Sequence, residues 1–294
     1  MTEAPNFFGF AQLEFAGVLA VADGRYVVRD GDEERVLVLE TIGAPAPARR
    51  RRRRAREAEA GATPAPLPLT RATVVRAFAP FAVKEEASRW LGEATAAEDS
   101  IDGLVSEGVD VLNRALHAHA VASGDPHVQT LTPGRAIAVR IGYGSGEQVA
   151  NGEFTMAREV DVHAGGAASR RQQRAEELRP QERLAAVLGG RERFDACETL
   201  VPRARADLDA GRTREAALQL RVGLEALLAE LKGALTDPGH TEDMAAIESR
   251  RHEAGELANA ALRGDLDAAQ SEQLRELTGV CERVLRRRRV LRGQ

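Results

Sequence analysis

Lysine is nearly missing from this chain: of 41 basic residues, only Lys84 and Lys232 are lysine. Alanine and glycine are abundant throughout, so the arginine excess reads as coding bias and by itself names no partner. Cysteine is scarce as well. Cys197 and Cys281 are the only two, too few and too far apart for a disulfide framework or a Cys-x-x-Cys site. A reducing, cytoplasmic setting is the expectation that follows. Net charge is small, −4 at neutral pH, which advertises neither nucleic acid nor disorder over the whole chain. No window approaches the roughly 18 uncharged apolar residues of a membrane span. The apolar run from Phe15 to Ala22 is preceded by Glu3 and Glu14, where a signal peptide needs basic residues.

What is present in quantity is helical periodicity. From Thr213 to Leu235 the residues Ala217, Leu220, Leu224, Leu227, Leu231 and Leu235 recur at steps of three and four, one apolar stripe on one helix face. Asp237-Pro238-Gly239 reads as its stop. The last helix carries Leu274, Leu277, Cys281, Val284 and Leu291 at similar steps, interrupted by Arg286, Arg287, Arg288 and Arg289. Four consecutive helical residues spread around nearly the whole circumference, so these arginines form a collar. Arg288 falls on the stripe face, where burial demands a carboxylate partner.

The rest divides by composition. Leu13, Phe15, Leu19 and Val21 alternate before Asp23-Gly24, Tyr26 to Val28 return, and Val36 to Ile42 follows a second turn at Asp30-Gly31. This predicts a three-stranded antiparallel meander over residues 1–42, whose aromatic side must dock elsewhere because three short strands cannot stand alone. Residues 43–69 hold a proline-rich stretch with Arg49, Arg50, Arg51, Arg52, Arg53, Arg54 and Arg56, and read as a linker. Residues 70–164 mix periods of two and 3.6: a strand near 72–78, helices near 83–91 and 98–122, then strands near 136–143 and 154–162. Residues 165–294 read as helical. The fold class expected is α+β.

Motifs that would carry chemistry do not survive inspection of their spacing. Gly142-Tyr143-Gly144-Ser145-Gly146-Glu147 lacks the third glycine of a dinucleotide fingerprint, has no Gly-Lys-Ser/Thr, and places Glu147 where a phosphate would lie. Ser145 has no flanking glycines at two residues on either side, so it makes no nucleophile elbow. His117 and His119, two apart on a helix, point about 200° from one another and cannot share a metal. Neither cysteine has a histidine close in sequence.

Two resemblances can be stated. Asn113-Arg114-Ala115-Leu116-His117-Ala118-His119 resembles the Arg-x4-His motif of helical HEPN ribonucleases, which implies metal-independent RNA cleavage through Arg114 and His119. ARADLDAGRTREAALQLRVGLEALL resembles one tetratricopeptide unit, with Gly211 at the turn. Its turn repeats only 53 residues later, out of step with the 34-residue period of that family.

These readings lead to a non-enzymatic binding or scaffold protein that assembles as a homo-oligomer, with no cofactor, metal or membrane partner. Nucleic-acid or polyanion binding through Arg49 to Arg54, Arg56 and Arg286 to Arg289 is the alternative. The ribonuclease comes third.

Overall fold

A computed structural model describes residues 6–43, 67–161, 183–231 and 237–292. The fold is α+β, and the chain separates into two compact units, Met1–Gly166 and Ala167–Gln294.

The first unit is built on one six-stranded antiparallel sheet of β1 (Phe7–Ala16), β2 (Gly24–Asp30), β3 (Glu33–Ile42), β4 (Leu69–Val75), β5 (Ala136–Ser145) and β6 (Met156–Glu159). Their spatial order is β2-β3-β4-β1-β5-β6. The order corrects the expected meander. β1 does not pair with β2; it lies at the centre between β4 and β5. Its strand ends at Ala16, so Leu19 and Val21 lie beyond it. Asp23 closes no hairpin with Gly24 and instead accepts hydrogen bonds from the Thr41 amide and hydroxyl, at 3.0 and 2.7 Å. The β2–β3 hairpin is as expected, with Gly31 at φ +58° supplying the left-handed turn residue. Because Ile42 faces Leu69 across the β3–β4 ladder, the arginine and proline stretch joins two neighbouring strands of one sheet. It is topologically a long hairpin connection, with the strands of residues 1–42 and of 70–164 sharing one sheet. Arg49 to Arg54 and Arg56 themselves lie outside the described residues.

One sheet face is covered by α1 (Lys84–Ala94) and α2 (Glu98–Ser123). α2 buries Val105, Val109, Leu112 and Leu116 in a cluster with Leu13, Phe15, Leu37 and Val74. Gly108 permits the approach: a Cβ there would stand 3.1 Å from the Leu13 side chain. Gly9 in β1 gives Trp90 of α1 its seat in the same way, with the indole 2.6 Å from where a Cβ would be. The opposite face carries α3 (Gly146–Ala150), which starts with a Ser145–Gln148 capping box.

The second unit is a helical bundle of α4 (Cys197–Asp209), α5 (Thr213–Leu231), α6 (Pro238–Ser249), α7 (Arg251–Arg263) and α8 (Ala268–Arg292). The described members of both predicted stripes are its core: Ala217, Leu220, Leu224, Leu227 and Leu231 of α5 meet Leu274, Leu277, Cys281 and Val284 of α8 in one buried cluster, while the Leu291 side chain lies outside those described. Gly211, at φ +73°, turns α4 into α5, and Gly223 lets the two helices close to about 3.2 Å between a would-be Cβ and Leu200. Asp237-Pro238-Gly239 turns out to start a helix. Asp237 caps α6 by accepting from the His240 amide at 2.8 Å, and Pro238 sits in the first turn, where a missing N–H costs nothing. Leu235 lies outside the described residues.

Candidate functional site

The arginine collar of α8 is sorted by its helical angle. Arg288, on the stripe face, is only 3 % exposed and pairs with Asp195, the carboxylate partner its burial requires. Its Nε and Nη1 are buried and have no hydrogen-bond partner among the described residues. Arg287 is held at 2.7 Å by Asp243 and at 3.6 Å by Asp237, its guanidinium lying over Gly239. Arg286 and Arg289 are exposed, and neither makes a hydrogen bond or ion pair among the described residues. Half of the collar thus serves the fold and half faces solvent.

Around Arg288 the start of α4 is charge-rich. Glu230, from the end of α5, accepts from the amides of Ala196 and Cys197 at 2.9 and 3.0 Å, so a side chain of the protein already occupies the positive end of α4. Glu198 accepts from the Asp195 amide at 3.1 Å and from Arg183 at 2.7 Å. Burial opposes the charge on Glu198, but the Arg183 guanidinium outweighs it and holds the carboxyl below its ordinary range. Arg183 also lies 5.3 Å over the ring of Phe194. Between α4 and α8 these groups border a cavity of about 180 Å³, lined by Arg183, Phe194, Glu198, Pro202, Leu285 and Arg289. Sequence reasoning reached Arg289 alone among them, because the others come from separated stretches without a motif.

The cysteines are unsuited to nucleophilic work. Cys197 is fully buried, and burial together with the Glu230 carboxylate pushes its thiol up to about 12. Burial does the same to Cys281, also to about 12. A thiol in such a setting does not form the reactive thiolate near neutral pH.

The remaining candidates are distributed over the first unit. Arg114 donates to the Arg29 carbonyl at 2.7 Å and pairs with Asp30 at 3.1 Å, so it ties α2 to the tip of the β2–β3 hairpin. No hydrogen bond joins Arg114 to His119 among the described residues. The glycine-rich segment is mostly strand. Gly142 is needed because the Phe10 ring and the Met156 carbonyl stand 2.6 and 2.5 Å from where its Cβ would project, and Gly144 is crowded by Val149 and Phe154. Glu147 lies in the first turn of α3. Among the described residues no group of three or more His, Cys, Asp or Glu could hold a metal ion.

The sheet face under α3 carries a charge ladder that sequence reasoning missed. Glu40, Arg71 and Glu14 are cross-strand neighbours on β3, β4 and β1, and Gln12, Arg140 and Glu159 on β1, β5 and β6. Arg71 and Arg140 reach Glu14 at 3.0 and 2.9 Å, and Glu40 and Glu159 at 3.5 and 3.4 Å. Burial works against the Glu14 charge, but hydrogen bonds from Arg140 and Arg71 prevail and depress its pKa. Every member has a partner, so the ladder is a stabilising network. The signal available was the alternation of Gln12 and Glu14 with Leu13 and Phe15.

Comparison with protein-family models, curated proteins and solved structures found no match.

Proposed function

We propose that the protein is a non-enzymatic binding or scaffold protein that self-associates. One observation carries this reading: the helical unit leaves apolar side chains in solvent on two adjoining helices. On α5, Leu218 and Val222 stand one turn apart at 37 % and 56 % exposure, and Leu262 ends α7 at 66 %. α5 and α7 are held together along this seam by Arg214, which donates to the Ala261 carbonyl at 2.9 Å, and by the Arg251–Glu225 pair at 2.6 Å. A second copy of the chain is the occupant that the reading assigns to the seam, since symmetric self-association needs only one such surface. Two unlinked buried cysteines suit a cytoplasmic setting, and no helix among the described residues is long and apolar enough to cross a membrane. Sedimentation velocity across a dilution series tests the reading. A mass of two or more chains that falls on dilution is expected; a single-chain mass throughout would refute self-association.

A second reading, polyanion binding, is favoured by exposed Arg286 and Arg289. Two phosphate contacts on α8 would give a logarithmic salt slope of about −1.4 on single-stranded RNA, and any larger slope would have to come from other basic residues. A titration of short RNA and heparin against salt separates the readings, because apolar association does not weaken as salt rises.

A further inference from the structure

We infer that the α5–α7 seam is covered by a different surface of the next copy, the leucine ridge of the short helix at 183–188. This rests on the self-association reading above and names the element that fills the seam. Leu184 and Leu188 stand one turn apart on that helix at 51 % and 78 % exposure, and Phe194 follows at 58 %. Single exposed apolar residues are ordinary, but an i, i+4 leucine pair with an aromatic residue close behind is a surface. The segment is also fixed in place. Arg183 pairs with Glu198 at 2.7 Å and with Glu192 at 3.5 Å and lies over the Phe194 ring, while Asp195 pairs with the buried Arg288. The Gly189 and Arg191 amides close the helix end on the Ala185 and Ala186 carbonyls at 3.0 and 2.9 Å, with Gly190 at φ +69°. A ridge held this firmly turns its leucines to solvent and avoids the ordering cost that a loose segment meets on docking.

Seam and ridge differ in the charges they leave free. At the seam Arg214 and Arg263 donate to the Ala261 and Asn259 carbonyls, and Arg221 and Arg251 share Glu225. Glu215 is exposed without an ion pair among the described residues, and Glu256 has only His252, at 3.3 Å on the open surface. The ridge carries the opposite sign. Glu192 and Glu198 are taken by Arg183, whereas Arg191 and Arg193 are exposed with no ion pair among the described residues. Seam on seam would bring free carboxylates to free carboxylates; the ridge brings Leu184 and Leu188 to Leu218 and Val222 with arginines at the margin. Both surfaces are uncovered in the single chain, so each copy offers a ridge to one neighbour and a seam to another. Such a contact runs head to tail, and it closes into a ring or extends as a filament according to the rotation between copies.

The test is complementation between two full-length variants, each followed by sedimentation velocity at about 100 μM. One has lost the ridge (Leu184→Glu with Leu188→Glu) and the other the seam (Leu218→Glu with Val222→Glu). All four positions are exposed, so both variants should keep the wild-type urea midpoint; if the ridge variant does not, Leu184→Ser with Leu188→Ser takes its place. Each variant alone is expected to sediment as a single chain. Mixed in equal amounts they should form a species of two chains and nothing larger, because one intact ridge meets one intact seam and both remaining surfaces are blocked. A ridge variant that assembles as the wild type does, or folded variants that stay single when mixed, would overturn the inference. The outcome is separable from that of the reading beneath it. A wild type of single-chain mass removes self-association altogether, whereas an oligomeric wild type with an equally oligomeric ridge variant removes only the ridge.

Discussion

At the residue scale, the polar atoms in apolar surroundings make the most direct predictions. Tyr143 is fully buried among Leu91, Ala87 and Ile141, and its hydroxyl has no partner among the described residues. Tyr143→Phe removes an unsatisfied group without changing the packing, so chemical denaturation should show stability unchanged or raised by about 1 kcal/mol. Arg288 is the opposite case. Its pairing with Asp195 is buried, and Arg288→Ala should cost about 3–5 kcal/mol, while Arg286→Ala, at an exposed position one residue pair away, should stay within about 0.5. Equal losses for the two variants would show that the collar is not divided as described. The cysteines should resist a thiol reagent in the native state at pH 8 and react only as the chain unfolds, because both thiols are buried and pushed up to about 12. That Arg288 is the inward member of its run was legible from the helical period alone. The two nitrogen atoms it leaves unpaired were not, because they depend on Asp195, on a different part of the chain.

At the element scale, the periodic helices were the readable part, and β1 was not. Its burial extends over both faces from Gly9 to Phe15, so hydrophobic alternation could not mark where the strand began or which neighbours it took. Those neighbours are set by pairing with β4 and β5, contacts far apart in sequence. The charge ladder hangs on the same strand and gives a signed pH dependence. The Glu14 pKa is depressed in the fold, so its contribution is fully present above the unfolded glutamate value of about 4.3 and is lost as pH falls through the folded value. Glu14→Gln should therefore cost about 1–3 kcal/mol at pH 7, and the gap to wild type should close as urea midpoints are followed into acid. A gap that is the same at all pH values would mean that Glu14 acts by shape alone. Topology makes a further demand: a protease site engineered between Ile42 and Leu69 should yield fragments that co-elute under native conditions, since β4 pairs along its whole length with Val36–Ile42 of β3. Separation of the fragments would contradict the shared sheet.

At the scale of the whole molecule, two compact units are present, and the helical one holds both the exposed apolar seam and the cavity beside Arg289. Its stability rests on the α5–α8 core, where Leu224→Ala or Leu227→Ala should cost about 2–5 kcal/mol by emptying a fully buried site. The stripe was legible in sequence, but the seam was not, because Leu218 and Val222 lie off the stripe, and only the neighbouring helices show which of the remaining faces of α5 is left open. The measurement that tests the central claim most directly is sedimentation of the wild type and of the Leu218→Glu, Val222→Glu double variant from about 1 to 100 μM, the range over which mass action exposes micromolar association. The account predicts a wild-type mass that rises with concentration to two or more chains and a folded variant that stays at one. A wild type of single-chain mass throughout, or a variant that assembles equally well, would contradict it.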